Sequence, residues 1–219
     1  APESNQVMMT PAVIDLNGDD IPDVVLSTFT GSGYSSGGKL RAISGADGSE
    51  LWNVIDPDHE VVGAGGVTVG DIDADGRPEI LAAYENGGLI AFEHDGTFKW
   101  ISDEIWGPVN WGSASLADLN QDGTPEIIIC GTVLDNEGKL LWRGDEVNES
   151  DELGQADNLR GPLSVVADLD LDGIPEVVAG KTAYYADGSI SWNSSITDGF
   201  PAIGNFDNDP NPEIVVTTD

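Results

Sequence analysis

Five copies of one nine-residue acidic pattern constrain the fold of this chain more than any other feature. The copies read DLNGDDIPD, DIDADGRPE, DLNQDGTPE, DLDLDGIPE and NFDNDPNPE, and they begin at residues 15, 71, 118, 168 and 205. Each has an oxygen-bearing side chain at positions one, three, five and nine and a proline at position eight, and an apolar run follows it. Such repetition indicates an array of similar structural units.

A second motif lies between successive acidic loops. An Asp-Gly or Glu-Gly pair precedes Trp52, Trp100, Trp142 and Trp192, and the glycine is always four residues before the tryptophan. Acid-glycine pairs between apolar runs are typical of hairpin turns, because glycine accepts the positive φ that such turns require. Each complete unit is therefore predicted to contain four strands, which in the second unit span about 66–71, 79–84, 88–93 and 97–101.

Repeated four-stranded sheets of about 40–50 residues are typical of β-propeller blades. We therefore predict an all-β fold: a β-propeller of four-stranded antiparallel blades, with four full blades plus a half blade in a single domain over 1–219. The predicted blades span about 7–56, 61–103, 107–143 and 160–193, and the half blade spans 199–219. The polar stretch 144–158 is predicted to be an exposed excursion between blades three and four.

The fifth repeat ends after its second predicted strand, which leaves an exposed strand edge. Two explanations stay open: the chain is a fragment of a larger propeller, or it is a subunit that strands from a neighbouring copy complete. The second explanation predicts a protein partner or self-association through this edge, into an oligomer or filament.

The acidic loops have the chemistry of a site for a hard cation. Two carboxylates 4 Å apart repel by about 4 kcal/mol at an effective dielectric near 20, so converging aspartates need a counterion. Calcium takes six to eight oxygen ligands at about 2.3–2.6 Å, whereas zinc prefers histidine or cysteine. Position seven varies freely, which suits a ligand supplied by the backbone carbonyl. The loops are therefore predicted to bind Ca²⁺, four to five ions in all.

The predicted metal ligands are positions one, three, five, seven and nine of each loop. They are Asp15, Asn17, Asp19, Ile21 and Asp23; Asp71, Asp73, Asp75, Arg77 and Glu79; Asp118, Asn120, Asp122, Thr124 and Glu126; Asp168, Asp170, Asp172, Ile174 and Glu176; and Asn205, Asp207, Asp209, Asn211 and Glu213.

The acidic loops differ from EF-hand loops and from ordinary solvated turns. An EF-hand closes with an acid at position twelve and enters a helix, whereas these loops close at position nine before a strand. The alternative is that the acids are solvated turn residues, which five copies with a fixed closing acid disfavour. The fifth loop is predicted to be reshaped or weak, because it begins with Asn205 and carries Pro210 at position six.

Composition excludes several classes of function. The chain has 40 acidic and 8 basic residues, for a formal charge of −32, so nucleic acids and anionic membranes would be repelled. A single cysteine, Cys130, excludes an intrachain disulfide, and no apolar run approaches the roughly 20 residues of a membrane helix. His59 and His94 are the only histidines, and no catalytic motif accompanies them, so the chain is predicted not to be an enzyme.

The loops and the strands around them resemble the FG-GAP/VCBS repeats of integrin-α-like β-propellers. The resemblance rests on the D-x-[DN]-x-D-G-x-x-[DE] pattern, as in residues 71–79, and extends over nearly the whole chain. It implies one calcium ion between the first two strands of each blade, and an extracellular protein used for adhesion, for ligand or carbohydrate contact, or as an accessory module.

Two classes of function are therefore left open. The first is a non-enzymatic, secreted or cell-surface calcium-binding module for adhesion or assembly. The second is a carbohydrate-binding or accessory propeller domain of a larger enzyme such as a polysaccharide lyase. Glycans are a further candidate ligand because Trp106 and Trp111 exceed the one-per-blade pattern, although packing in the core is the favoured role of both.

Overall fold

The computed structural model describes residues 4–103, 111–144, 161 and 163–217. It divides into two compact units, Ala1–Ser113 and Ala114–Asp219. The start of the third predicted blade, the start of the fourth and the excursion over 145–158 lie outside the described residues.

The first unit contains eight described strands and a 3-10 helix over Pro57–His59. Its strands are β1 (Ala12–Ile14), β2 (Asp23–Thr28), β3 (Lys39–Ile43), β4 (Glu50–Asn53), β5 (Val67–Gly70), β6 (Glu79–Ala83), β7 (Leu89–Phe92) and β8 (Phe98–Ile101).

The second unit contains ten described strands. They are β9 (Ser115–Ala117), β10 (Glu126–Ile129), β11 (Thr132–Leu134), β12 (Leu140–Arg143), β13 (Ser164–Ala167), β14 (Glu176–Ala179), β15 (Thr182–Tyr184), β16 (Ile190–Asn193), β17 (Phe200–Gly204) and β18 (Glu213–Thr217).

These strands form four antiparallel four-stranded sheets and one two-stranded sheet, each with its strands in chain order. The predicted fold class is confirmed: the chain is all-β, with four full blades and a half blade. In the second blade each predicted strand end lies within one residue of the observed end. Every acidic loop joins the first strand of a blade to the second, so the blade topology positions all five loops at equivalent places.

In the second, third and fourth blades the middle strands form the core, because both of their faces are covered. All residues of β6, β7, β10, β11, β14 and β15 are buried. Outer strands such as β8 and β12 are only partly covered. Continuous apolar runs such as Ile127–Ile129 are expected for strands buried on both faces.

In each unit a tryptophan of one blade packs on the hairpin turn of the next blade. The Trp52 indole Nε1 on β4 donates a 2.9 Å hydrogen bond to the carbonyl of His94, in the β7–β8 hairpin. Trp142 on β12 makes the same bond, 2.8 Å long, to the carbonyl of Ala186 in the β15–β16 hairpin. The repeated glycine and tryptophan of the sequence therefore meet between neighbouring blades of a unit: the tryptophan of one blade contacts the hairpin turn of the next.

Glycine is required at these turns for two separate reasons. Gly96 has a φ of +82°, and a Cβ built on it would lie 2.8 Å from Cδ2 of Trp52. Gly48 occupies the equivalent position in the first blade with a φ of +75°, but a Cβ there would meet no atom within 4 Å. A side chain at Gly48 would therefore meet backbone strain alone, whereas a side chain at Gly96 would meet the same strain and also the Trp52 indole.

Gly96→Ala is expected to destabilise the protein more than Gly48→Ala. Both variants incur the left-handed backbone cost of about 1–2 kcal/mol. Only Gly96→Ala adds a steric conflict with the indole, which typically costs about 1–3 kcal/mol in packed regions. Urea unfolding followed by tryptophan fluorescence measures the free energy of unfolding of each variant. Equal losses of stability would contradict the proposed role of the tryptophan contact.

Among the described residues, no helix is long and apolar enough to cross a membrane.

Candidate metal sites

The aspartate at position one organises four of the five acidic loops. In the second loop, Asp71 Oδ1 accepts the N–H of Asp75 at 3.1 Å and Asp71 Oδ2 accepts that of Gly76 at 2.9 Å. The third and fourth loops repeat both bonds from Asp118 and Asp168. One carboxylate thus bends the chain back upon itself in each loop, and side chains of the same loop converge.

The bend requires left-handed backbone at position four. Ala74, Gln121 and Leu171 occupy this position in the second, third and fourth loops, with φ values of 60°, 60° and 63°. Non-glycine residues rarely adopt this conformation, which costs roughly 1–2 kcal/mol. The same strain in three loops indicates that the hydrogen bonds of the loop impose its shape on residues that do not favour it.

The closing acid at position nine is buried in the four full blades. Asp23, Glu79, Glu126 and Glu176 are at most 6% exposed. In all five loops one oxygen of the closing carboxylate accepts the backbone N–H of position two, at 2.6–3.0 Å. The five pairs are Asp23 with Leu16, Glu79 with Ile72, Glu126 with Leu119, Glu176 with Leu169 and Glu213 with Phe206.

This bond joins the two ends of each loop, and sequence analysis did not anticipate it. Leu16, Ile72 and Leu119 are also buried side chains, so in these three loops position two holds the loop against the core. The signal was present in the alignment of the five copies, where position two is always apolar between two oxygen-bearing residues.

The structure brings part of each predicted ligand set together in three loops. Carboxylate oxygens of Asp71, Asp73 and Glu79 lie within 4.8 Å of one another, and the same holds for Asp168, Asp170 and Glu176. The position-five side chains, Asp75 and Asp172, are outside these two groups. They accept the N–H of position seven through Oδ1, at 2.8 Å in both loops.

The first and third loops have asparagine at position three, and no group of three such acids is found there among the described residues. In the third loop the Asn120 amide Nδ2 donates to Glu126 Oε1 at 2.6 Å. In the first loop Asp23 Oδ1 accepts the N–H of Gly45 at 3.1 Å. Both closing acids therefore have hydrogen bonds on each of their two oxygens.

The fifth loop brings together a different subset. Its group is Asp207, Asp209 and Glu213, at positions three, five and nine. Asn205 Nδ2 donates to the carbonyl of Asp209, whereas an aspartate would accept backbone N–H groups at this position. Pro210 replaces the left-handed glycine of position six, because its ring keeps φ negative.

Burial raises the pKa of the closing glutamates. The pKa of Glu79 rises from 4.5 to about 7, because loss of solvent outweighs the N–H of Ile72 and the charge of Lys99. Burial also raises the pKa of Glu126 and Glu176, and the nearby aspartates add to the effect. A buried carboxylate beside other acids is ionised at low cost only if a cation lies close to it.

The donor set fits a hard cation. The three groups present carboxylate oxygens without histidine or cysteine, which suits calcium or magnesium and not zinc. In the second loop Glu79 Oε1 is buried and accepts no hydrogen bond, and the Lys99 ammonium lies 3.7 Å from it. Several acidic clusters of this chain are therefore arranged to hold a metal ion.

The raised pKa values predict a pH dependence for the metal-free protein. Between about pH 4.5 and 7 the folded protein retains a proton on Glu79 that the unfolded chain has lost, so the free energy of unfolding falls as the pH rises. Glu126 and Glu176 act in the same direction. Urea unfolding in EDTA across this range should show the decline.

Glu79→Gln should flatten the decline, because the amide does not titrate but keeps an oxygen for the N–H of Ile72. Glu137→Gln is the matched control, since Glu137 is exposed and its pKa is lowered by the hydrogen bond from Lys139. An unchanged pH slope in Glu79→Gln would show that Glu79 is not the titrating group.

Comparison with known proteins agrees with the repeat architecture. The FG-GAP-like repeat family model matches residues 71–129, which contain the second and third acidic loops. No curated protein sequence matches the chain. Among solved structures, the V. cholerae biofilm matrix protein Bap1 is 33% identical with a TM-score of 0.77, over 98% of this chain and 36% of Bap1.

Two further structures share the fold. A Bacillus licheniformis rhamnogalacturonan lyase is 19% identical with a TM-score of 0.65, over 95% of this chain and 46% of the lyase. The exotype rhamnogalacturonan lyase YesX is 17% identical with a TM-score of 0.63, over 100% of this chain and 48% of the lyase. The chain thus spans about a third of Bap1 and less than half of each lyase.

Together these observations define an all-β repeat protein with acidic loops between the first two strands of its blades. The FG-GAP-like repeat family matches residues 71–129, as the resemblance of the loop sequences implied, and the other acidic loops share the same pattern.

Of the two tryptophans that exceed the one-per-blade pattern, Trp111 lies among the described residues and Trp106 does not. Trp111 packs against Tyr34 with ring centroids 5.9 Å apart, and its backbone N–H donates to the carbonyl of Ala64, so it has contacts within the first unit. Glycan contact by these residues, the less favoured of their two candidate roles, stays a hypothesis.

Proposed function

We propose that this chain is a non-enzymatic, extracellular module for adhesion or assembly, whose blades are stiffened by calcium ions in the acidic loops. The observation that carries the proposal is the 33% identity over 98% of this chain to a biofilm matrix protein. A matrix protein needs a rigid, durable scaffold more than a catalytic site, and FG-GAP-like repeats are consistent with that need.

Calcium is the proposed ion because the loops offer only oxygen ligands and because those of the four full blades close with a buried carboxylate. The fourth loop supports this best: Asp168, Asp170 and Glu176 converge within 4.8 Å, and Glu176 is 1% exposed. A bound ion would offset both the repulsion between the aspartates and the cost of burying the glutamate. The predicted backbone ligand Ile174 and the side chain of Asp172 would complete the site as the ion draws the loop together.

Bound calcium would also reduce the large negative charge of the chain. Each bound ion would add two positive charges to a chain whose formal charge is −32. Less self-repulsion favours the compact state and the approach of another acidic surface. Calcium is therefore expected to promote both folding and association in a chain this acidic.

Removal of calcium is expected to lower the melting temperature sharply. An ion present at 100 times its dissociation constant stabilises the folded state by about 2.7 kcal/mol per site, and a domain is usually stable by only about 5–15 kcal/mol. Differential scanning calorimetry in excess calcium and in EDTA measures the change. An identical melting curve in both would refute calcium binding.

The Asp170→Asn variant tests whether calcium stabilises the protein by binding to the fourth loop. Asparagine is already present at position three of the first and third loops, so the fold accepts it, but it removes one charge from the fourth cluster. The increase in melting temperature on adding calcium should shrink in Asp170→Asn and persist in Glu137→Gln, which removes an exposed charge outside the loops. Equal responses would place the ion elsewhere.

The adhesion role itself requires a surface assay. Retention of the chain on immobilised acidic and neutral polysaccharides, with and without calcium, tests glycan contact. Light scattering in the same buffers tests self-association through the edge of the half blade, which stays a prediction. Tight binding to one polysaccharide would favour the alternative of a carbohydrate-binding or accessory domain of a larger enzyme, since the likeness to the lyases is one of fold alone.

A further inference from the structure

Lys99 occupies a position that is repeated in every full blade. On β7 and β8, Phe92 pairs with Phe98 and Ala91 pairs with Trp100, so Lys99 is the extra residue of a β-bulge. The other three full blades have the same register shift between their third and fourth strands. The equivalent extra residues are Leu51, Leu141 and Ser191.

The bulge directs the Lys99 ammonium into the acidic loop of its own blade. Its Nζ lies 2.8 Å from Asp73 Oδ2 and 3.7 Å from Glu79 Oε1. A third carboxylate, Glu93 Oε1, lies 2.8 Å from Nζ. Asp73 and Glu79 are two of the three members of the second-loop cluster, so the ammonium already contacts most of it.

This contact differs from an ordinary surface ion pair, which contributes little to stability. The Lys99 side chain is 17% exposed, and Glu79 is fully buried. Among the described residues, Lys99 supplies every ion pair that reaches an acidic loop. In the fourth blade the equivalent residue is Ser191, which has no charge to offer the cluster of Asp168, Asp170 and Glu176.

A metal ion and the Lys99 ammonium would compete for the same oxygens. An ion bound by Asp73 and Glu79 would lie only a few ångströms from Nζ, where like charges repel strongly in a partly buried site. The ammonium is attached to the chain, so it needs no free ion and is present at any calcium concentration. The two loops with complete acidic sets, the second and the fourth, therefore differ in the source of their positive charge.

We propose that Lys99 is a tethered counter-cation that replaces calcium in the second loop, so that this blade is held without the metal while the fourth loop depends on it. The inference rests on the proposed function only in taking calcium as the ion of the fourth loop. It assigns to Lys99 a role in setting which repeats respond to calcium.

The test compares calcium binding by the 219-residue chain and by Lys99→Leu, after dialysis against EDTA. Leucine is the residue at this position in the first and third blades, so the bulge accepts it. Isothermal titration calorimetry should show that Lys99→Leu gains one calcium site, with affinity at the second loop raised roughly tenfold or more. Asp71→Asn added to Lys99→Leu should abolish the gain and so assign it to the second loop.

Three further measurements make the result specific. Lys139→Leu removes the same charge from an exposed pair with Glu137 and should bind calcium as the unmodified chain does. Lys99→Arg keeps the positive charge and should gain no site. In EDTA, Lys99→Leu should melt at a lower temperature than Lys139→Leu, and excess calcium should restore it, because the ion then replaces the lost ammonium.

Two negative results are distinguishable. If the chain and Lys99→Leu bind the same number of calcium ions with the same affinities, the role of Lys99 is refuted while calcium binding stands. If neither binds calcium, the proposed function and this inference both fail.

Discussion

The structure depends on the carboxylate that closes each acidic loop, which is buried in the four full blades. This group accepts the N–H of position two through one oxygen and thereby ties the start of the loop to the strand that follows it. The same group lies beside aspartates of its own loop, so its negative charge is unfavourable unless a positive charge is near. Local geometry and electrostatics are thus linked: the bond that closes the loop also creates the need for a cation.

The five loops meet this need in different ways. The first and third loops satisfy the second oxygen of the closing acid with hydrogen bonds from Gly45 and Asn120. The second loop has the ammonium of Lys99 nearby, at 3.7 Å. The fourth and fifth loops each present three converging acids, and these are the clusters for which an external ion is the natural partner. Under the proposed roles of calcium and Lys99, single substitutions at equivalent positions would make some loops depend on metal and others not.

Within each unit, the blades are coupled by a tryptophan that spans from one sheet to the hairpin of the next. The contact combines a hydrogen bond to a backbone carbonyl with packing against a glycine that has no Cβ, so both partners are specified. A loop that is stiffened in one blade is therefore connected to its neighbour through a rigid aromatic contact. This suits a module that bears load or displays a surface, as proposed for this chain.

Sequence alone determined the repeat, the strands and the candidate ligands, because each depends on short-range rules. The hairpin turns follow from acid-glycine pairs, the buried strands from apolar runs such as 127–129, and the loops from the spacing of oxygen-bearing residues. This is why the four strands of the second blade could be predicted to within one residue at each end. Only the tertiary structure decided what faces each closing carboxylate. Lys99 is 26 residues from Asp73, and a bulge between two strands brings them together. The order of residues along the chain does not reveal such a contact, because it depends on strand register and on the direction in which a side chain leaves the sheet.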